Sequence, residues 1–371
     1  MAERSETWHM DMKGLLALAL ERGASDLHLK AGRPPILRVD GHIHYADLAT
    51  LRAADVLELA RQIMDERVHQ QFQEVGSVDF AHATESGDRF RVNVYRQRGH
   101  TSVAVRRVSR TIRSFEQLHL PGKTLERICE AREGLVIFSG VTGTGKSTSI
   151  ASCLDYVNSR RPCHIVTLED PIEYLFEDQK AFINQREIGT DVPSYEMALR
   201  SLLREDPDVV LVGEMRARED VEGVLRAAET TRLVFTTVHA SSVPGVITRI
   251  LDLFQIHDHH VVRESLAHSL VAIICQKLVP AADPNVARLP ATEIMLATPV
   301  VRKAIRDGEE AHLSGVIAAG GDLGMHDFTQ DLARLVREEW VDPRMAYEAA
   351  PNPEALKMAI RGIDVKRGTL R

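Results

Sequence analysis

The octapeptide Gly140-Val141-Thr142-Gly143-Thr144-Gly145-Lys146-Ser147 stands directly after the apolar run Leu135 to Phe138 and before a stretch of helical spacing. This GxxxxGK[ST] pattern in strand-loop-helix context constrains the chain more than any other feature. The glycines let backbone N–H groups curl round a phosphate without Cβ clashes, and Lys146 supplies a cation for the β and γ oxygens. The Ser147 hydroxyl is a ligand for Mg²⁺, and the following helix adds its positive N-terminus. Gly140, Thr142, Gly143, Thr144, Gly145, Lys146, Ser147 and Thr148 are therefore the candidate nucleotide-binding residues, with Ser147 also the candidate metal ligand.

Three further runs rich in Val, Ile and Leu follow at His164 to Leu168, Val209 to Val212 and Leu233 to Val238, with helical patterns between them. Such runs suit strands covered on both faces, so the second half is expected to be α/β, with a parallel sheet and crossover helices. Ligands of that architecture sit beyond the carboxyl ends of the strands. Each strand end carries a polar candidate. Glu214, after Val212-Gly213, suits the acid that orients or deprotonates an attacking water. Glycine at 213 stands where many nucleotide hydrolases place a metal-holding Asp, which shifts the metal toward Ser147, phosphate oxygens and water. Glu169, in Glu169-Asp170-Pro171-Ile172-Glu173, suits positioning of a water or hydrated Mg²⁺, or capping of the next helix. His239 suits contact with a γ phosphate or a purely structural role at its strand end. Asp206 and Asp208 precede their strand and read as turn residues.

The first hundred residues read as a mixed α/β unit: a helix over Met12 to Glu21, strands from Asp26 and from Ile36 to Val39, and helical spacing from Ala53 to Phe72. A hairpin then puts Phe90, Val92 and Val94 on one face and Arg89, Arg91 and Asn93 on the other; beyond Gly99, Arg106 joins the arginine side. The polar, Pro- and Gly-containing stretch 114–133 reads as a linker, dividing the chain into 1–113 and 134–371.

The net charge of −7 offers no overall field for a phosphate backbone, so no nucleic-acid partner is expected. No apolar stretch approaches the ~18 to 20 residues of a spanning helix, and no secretory signal is visible. Cys129, Cys153, Cys163 and Cys275 match neither metal-site spacing nor a disulfide framework, so they read as core thiols of a cytoplasmic protein.

These residues together resemble the PilT family, the retraction ATPases of bacterial type IV pili in the secretion ATPase superfamily. Gly23-Ala24-Ser25-Asp26-Leu27-His28 is similar to the family's amino-terminal segment, Gly140 to Thr148 to its Walker A motif, and Leu168 to Glu173 to its Asp box. Leu203 to Asp208 running on to Gly213-Glu214-Met215-Arg216 resembles its Walker B region, and Ala228 to His239 its His box. Thr298 to Asp307 resembles the segment written AIRNLIRE, with Arg302 and Arg306 kept at helical spacing. Thr231-Arg232 stands where the His box has a Gly-His pair.

The resemblance implies a PAS-like amino domain, a RecA-like motor domain with a helical carboxyl-terminal part, and a homo-hexamer binding ATP and Mg²⁺ at subunit interfaces. It implies hydrolysis that drives pilus retraction and twitching motility at an inner-membrane platform protein, in the cytoplasm, with a paralogous retraction ATPase as a further partner. Carried over by matched position, Arg91 and Arg106 would complete a neighbouring subunit's catalytic site, alongside Glu214, Glu169 and His239; the alternative for the arginines is a solvated hairpin face. The alternatives for the whole are a PilU-like accessory ATPase, a weakly hydrolysing nucleotide-gated scaffold or, further off, a pilus-extension or type II secretion ATPase.

Overall fold

The computed structural model describes residues 10–202, 204–230 and 232–362. It divides into two compact units, Met1–Arg110 and Thr111–Arg371.

The first unit is a six-stranded antiparallel sheet built from β1 (Asp26–Lys30), β2 (Ile36–Val39), β3 (His42–Tyr45), β4 (Ser77–Ala83), β5 (Arg89–Gln97) and β6 (His100–Arg107). Their order is β3-β2-β1-β6-β5-β4. Alternation decides the faces. Leu27, Leu29, Phe90, Val92, Val94, Val103 and Val105 are buried with Met12, Leu15 and Leu16 of the helix Met12–Glu21. The opposite face carries a row of directly paired residues, Arg38, Asp26, Arg106 and Arg91, one from each of β2, β1, β6 and β5. The helical spacing from Ala53 to Phe72 is not one helix. It breaks into Ala53–Arg61 and Glu66–Val75 because Asp65, in extended conformation, accepts from Val68 N–H and starts a second helix.

The second unit is a seven-stranded sheet of β7 (Gly134–Ser139), β8 (His164–Glu169), β9 (Phe182–Glu187), β10 (Val209–Val212), β11 (Leu233–Val238), β12 (Leu270–Pro280) and β13 (Arg288–Leu296). The order is β13-β12-β7-β11-β10-β8-β9, parallel except for the antiparallel β12–β13 pair at one edge. The four apolar runs are β7, β8, β10 and β11, the central strands apart from β12, and every residue in them is buried. Each buried Val, Leu or Ile contributes roughly 1.5–3 kcal/mol, so these strands hold together by covering both faces with helices. Register then aligns their ends, since Ser139 pairs with Val238 and Val212 pairs with both Thr236 and Leu168.

Residues 114–133 are packed against this unit rather than strung out. Phe115 and Leu120, with Leu125, Ile128 and Cys129 of the helix Gly122–Cys129, enter its core. The polar composition that suggested a linker belongs to the solvent face of an amphipathic segment. All four cysteines are buried and unbridged. Arg302 and Arg306 also part company. Arg306 is exposed, whereas Arg302 is half-buried and donates to the carbonyls of Ala267, Leu270 (2.8 Å) and Ala297 (3.1 Å), clasping the end of the helix His259–Ser269. Among the described residues no helix is long and apolar enough to cross a membrane.

A nucleotide loop and an acid cluster at the strand ends

Ser139 ends β7 and the chain turns at Gly140 into the loop, with the helix Lys146–Arg160 beginning at Lys146. Gly140 and Gly145 have φ of 147° and 85°, and Gly143 has 81°, all in the region that side chains avoid. A Cβ on Gly140 would stand 2.4 Å from the Gln276 carbonyl oxygen, and one on Gly145 would stand 2.9 Å from Gln276 Nε2. The loop is therefore a cradle whose floor is strand β12. Thr144 Oγ1 donates to the Val141 carbonyl at 2.9 Å, closing the turn. Thr142 and Gly143 are exposed, as is Ser147 on the first turn of the helix, while Thr148 Oγ1 bonds Tyr174 Oη at 2.7 Å.

Lys146 is 8% exposed and donates to the carbonyls of Gly140 (2.7 Å) and Val141 (3.2 Å), spanning the loop. Burial pushes its ammonium pKa down, opposed by the charges of Glu214 and Glu173. A buried ammonium bonded to carbonyls is readily transferred to phosphate oxygens, which bind it more strongly.

Glu214 lies two residues past β10. Its Oε1 is 3.0 Å from His239 Nε2 and its Oε2 accepts from Arg216 Nε at 2.8 Å. His239, just beyond β11, reaches back with Nδ1 to the Gly140 carbonyl at 3.2 Å. A carbonyl only accepts, so Nδ1 carries a proton, and the Nε2 contact with Glu214 is attractive when that nitrogen carries one too. The base candidate, the His candidate and the loop are thus joined in one chain of contacts. Arg216 also extends to Asp170 Oδ2 at 3.3 Å, tying the end of β10 to the end of β8.

Glu169, the last residue of β8, is 8% exposed, and Thr167 Oγ1 (2.6 Å) and Gln185 Nε2 (3.1 Å) both donate to its Oε1. Burial pushes its carboxyl pKa up. The Glu173 backbone N–H also bonds this carboxylate, closing the turn after β8, but the element that follows is β9 and not a helix, so there is no helix for Glu169 to cap. The place after Val212 is glycine for a local reason: a Cβ at Gly213 would stand 2.8 Å from Tyr195 Oη and 3.2 Å from the Leu168 carbonyl. Tyr195 fills that space, and burial together with the charge of Asp170 pushes its phenol pKa up. Asp206 and Asp208 lie at the far end of the sheet, where Asp208 Oδ2 accepts from His164 N–H at 2.8 Å, as turn residues do.

Arg91 and Arg106 stand on the first unit, directly paired across β5 and β6. Arg106 Nε donates to Asp26 Oδ1 at 2.8 Å, with Arg38 Nε 3.7 Å from Asp26 Oδ2. Burial raises the Asp26 pKa, but the Ser25 hydroxyl and the Arg106 guanidinium outweigh it and hold the carboxyl below its usual range. In the His box, Thr231 lies outside the described residues, as does Leu203 of the Walker B region; Arg232 donates to the Thr230 carbonyl at 2.8 Å. Sequence reasoning quoted Arg216 without giving it a role and passed over Tyr195 and Gln276. Their importance lies in side-chain directions across strands that motif spacing does not encode.

A family model described as type II/IV secretion system protein matches residues 3–349. The type IV pilus retractation ATPase PilT of Pseudomonas aeruginosa is 39% identical over 345 residues, covering 93% of this chain and 99% of that protein. The type IV pilus ATPase PilU of the same organism is 35% identical over 352 residues, covering 95% of this chain and 92% of its own. The crystal structure of the pilus retraction motor PilT with bound ADP overlays with a TM-score of 0.86 at 39% identity, covering 94% of this chain and 99% of that one. The chain belongs to the type II/IV secretion system protein family, as an ATPase of its PilT-type pilus-retraction branch.

Proposed function

We propose that the chain is the subunit of a ring-shaped, ATP-hydrolysing motor for pilus retraction, in which the loop Gly140–Thr148 holds the triphosphate and Glu214 serves as the base. The observation that carries this reading is the contact chain from the loop through His239 to Glu214, which sets the acid beside the phosphate cradle. Lys146 exchanges its carbonyl partners for phosphate oxygens. Glu214 orients the attacking water and takes its proton, and Arg216 holds the carboxylate at a fixed angle. His239, whose Nδ1 bonds the Gly140 carbonyl of the same loop, would register the γ phosphate by donating to its oxygens. Glu169 presents a buried carboxyl at the neighbouring strand end, to position a water.

The exposed Ser147 hydroxyl suits Mg²⁺, a hard cation that prefers oxygen ligands and keeps several waters. Among the described residues no group of three or more His, Cys, Asp or Glu could hold a metal unaided, so the ion would come with the nucleotide. When bound it offsets the negative charge on the β and γ oxygens.

The oligomer is proposed as a homo-hexamer, working in the cytoplasm against an inner-membrane platform protein, with a paralogous ATPase as a further partner. Arg91 and Arg106 would complete a neighbour's site, for which their shared polar face and planar guanidinium groups are suited. Mixing subunits tests this. Arg106→Ala and Lys146→Ala chains should each be nearly inactive alone, and a mixture should recover a measurable part of wild-type ATPase, because some interfaces then pair an intact loop with an intact arginine. Mixtures that stay inactive at every ratio would refute action between subunits.

A second expectation concerns Arg216. Its Nε bond to Glu214 is charge-assisted, but the guanidinium is more than half exposed and water screens the pair, leaving about 1 kcal/mol. Arg216→Ala should lower kcat by about fivefold with little change in nucleotide affinity, since the guanidinium touches the acids and not the loop. Steady-state ATPase assays set beside direct nucleotide titration separate the two quantities.

A further inference from the structure

Gln276 lies on β12, outside every motif of the nucleotide site, and is 3% exposed. Its Oε1 accepts from Ser149 Oγ at 2.8 Å, and its Nε2 donates to the Thr144 carbonyl at 2.7 Å. The carbonyl can only accept, so the amide must present its nitrogen to the loop and its oxygen to Ser149. Ser149 is itself fixed by the helix, where its N–H bonds the Gly145 carbonyl at 3.0 Å. The Gln276 amide also fills the space beneath Gly145 that a Cβ would need.

In a trans peptide the C=O and the next N–H point in opposite directions. Drawing the Thr144 carbonyl down onto Gln276 therefore turns the Gly145 N–H away from β12, toward the open side of the loop. Without that bond the Thr144 carbonyl would be a buried acceptor with its partner removed, and the peptide would be free to rotate.

We infer that Gln276 is a positioning residue for the nucleotide loop: its amide, oriented by Ser149, holds the 144–145 peptide in the phosphate-receiving form before nucleotide arrives. The inference rests on Gly140–Thr148 being the nucleotide loop. Pre-organisation of this kind strengthens binding by removing the ordering cost from the binding step. Ser149 acts only through Gln276, so the two side chains should behave as one unit.

The experiment titrates the full-length chain with a fluorescent ADP analogue and Mg²⁺, for wild type, Gln276→Met, Ser149→Ala and the double variant. Met keeps the volume and removes both polar atoms. Loss of the loop bond should weaken nucleotide binding by about tenfold or more, and in turnover KM should rise by a larger factor than kcat falls. Ser149→Ala should weaken it about twofold to threefold, with the double variant no weaker than Gln276→Met. Gln276→Glu, which keeps the Ser149 contact but sets a carboxylate oxygen against the Thr144 carbonyl, should be as weak as Gln276→Met, and it replaces that variant if Met does not fold. Folded Gln276→Met or Gln276→Glu binding within about twofold of wild type would overturn the inference, as would single effects that multiply in the double variant. Wild type that binds no nucleotide overturns the loop reading itself, and this inference with it.

Discussion

Glu214→Gln should lower ATP turnover by about 10²–10³-fold while leaving nucleotide affinity within about threefold of wild type. The substitution is nearly isosteric. A glutamine there still accepts from Arg216 Nε through its carbonyl oxygen, so the local frame formed by Arg216, Asp170 and His239 has no cause to collapse. What disappears is the basic oxygen. An amide cannot take a proton from water, and the rate falls toward what the loop and Lys146 deliver by positioning and charge alone. Affinity should hold because the phosphate contacts are assigned to the loop, and Glu214 touches it only through His239. Measuring ATPase and nucleotide titration on one preparation makes the comparison decisive. A turnover unchanged in Glu214→Gln would remove the residue from the base role and pass it to Glu169, the other acid at a strand end. A chain that binds ATP yet hydrolyses it poorly even as wild type would favour the nucleotide-gated scaffold over the motor.

Much of this site is legible in the sequence because β7, β8, β10 and β11 are buried on both faces and therefore carry unbroken apolar runs. The first polar or glycine residues after such runs must lie near one edge, and the register places Gly140, Glu169, Glu214 and His239 along it. What periodicity does not convey is strand order. Nothing in the spacing says that β12 runs beside β7, so nothing says that Gln276, 132 positions from Thr144, lies under the loop. The branch of Arg216 toward both Glu214 and Asp170 is hidden for a different reason: it depends on how a loop aims a long side chain, which residue type alone leaves open. Composition misled at 114–133, where polar residues mask the spacing of Phe115, Leu120, Leu125 and Ile128 that seats the segment in the core. Spacing is equally silent at Arg302: it shares helical spacing with Arg306, yet the helix packing turns only Arg302 onto the carbonyls of Leu270 and Ala297.

The glycines of the loop should not be equivalent, and the difference follows from what surrounds each. Gly143→Ala meets no atom within 4 Å, so its cost is the left-handed backbone at φ 81°, roughly 1–2 kcal/mol. Gly140→Ala meets the Gln276 carbonyl at 2.4 Å and Thr144 Oγ1 at 2.7 Å, at a φ of 147°. Thr144 Oγ1 can rotate away; the carbonyl cannot, because it belongs to β12, which is paired on both sides with β7 and β13. The loop must yield instead. Its yielding moves the Gly140 carbonyl that Lys146 Nζ and His239 Nδ1 both bond, so the cation and the sensor candidate lose their anchor together. Gly140→Ala should therefore cut nucleotide affinity by more than about 10²-fold, against roughly tenfold or less for Gly143→Ala. Nucleotide titration of the two variants, with circular dichroism to establish folding, checks the ranking. Equal losses would mean that backbone strain alone governs the loop, and that the floor provided by β12 does not shape it.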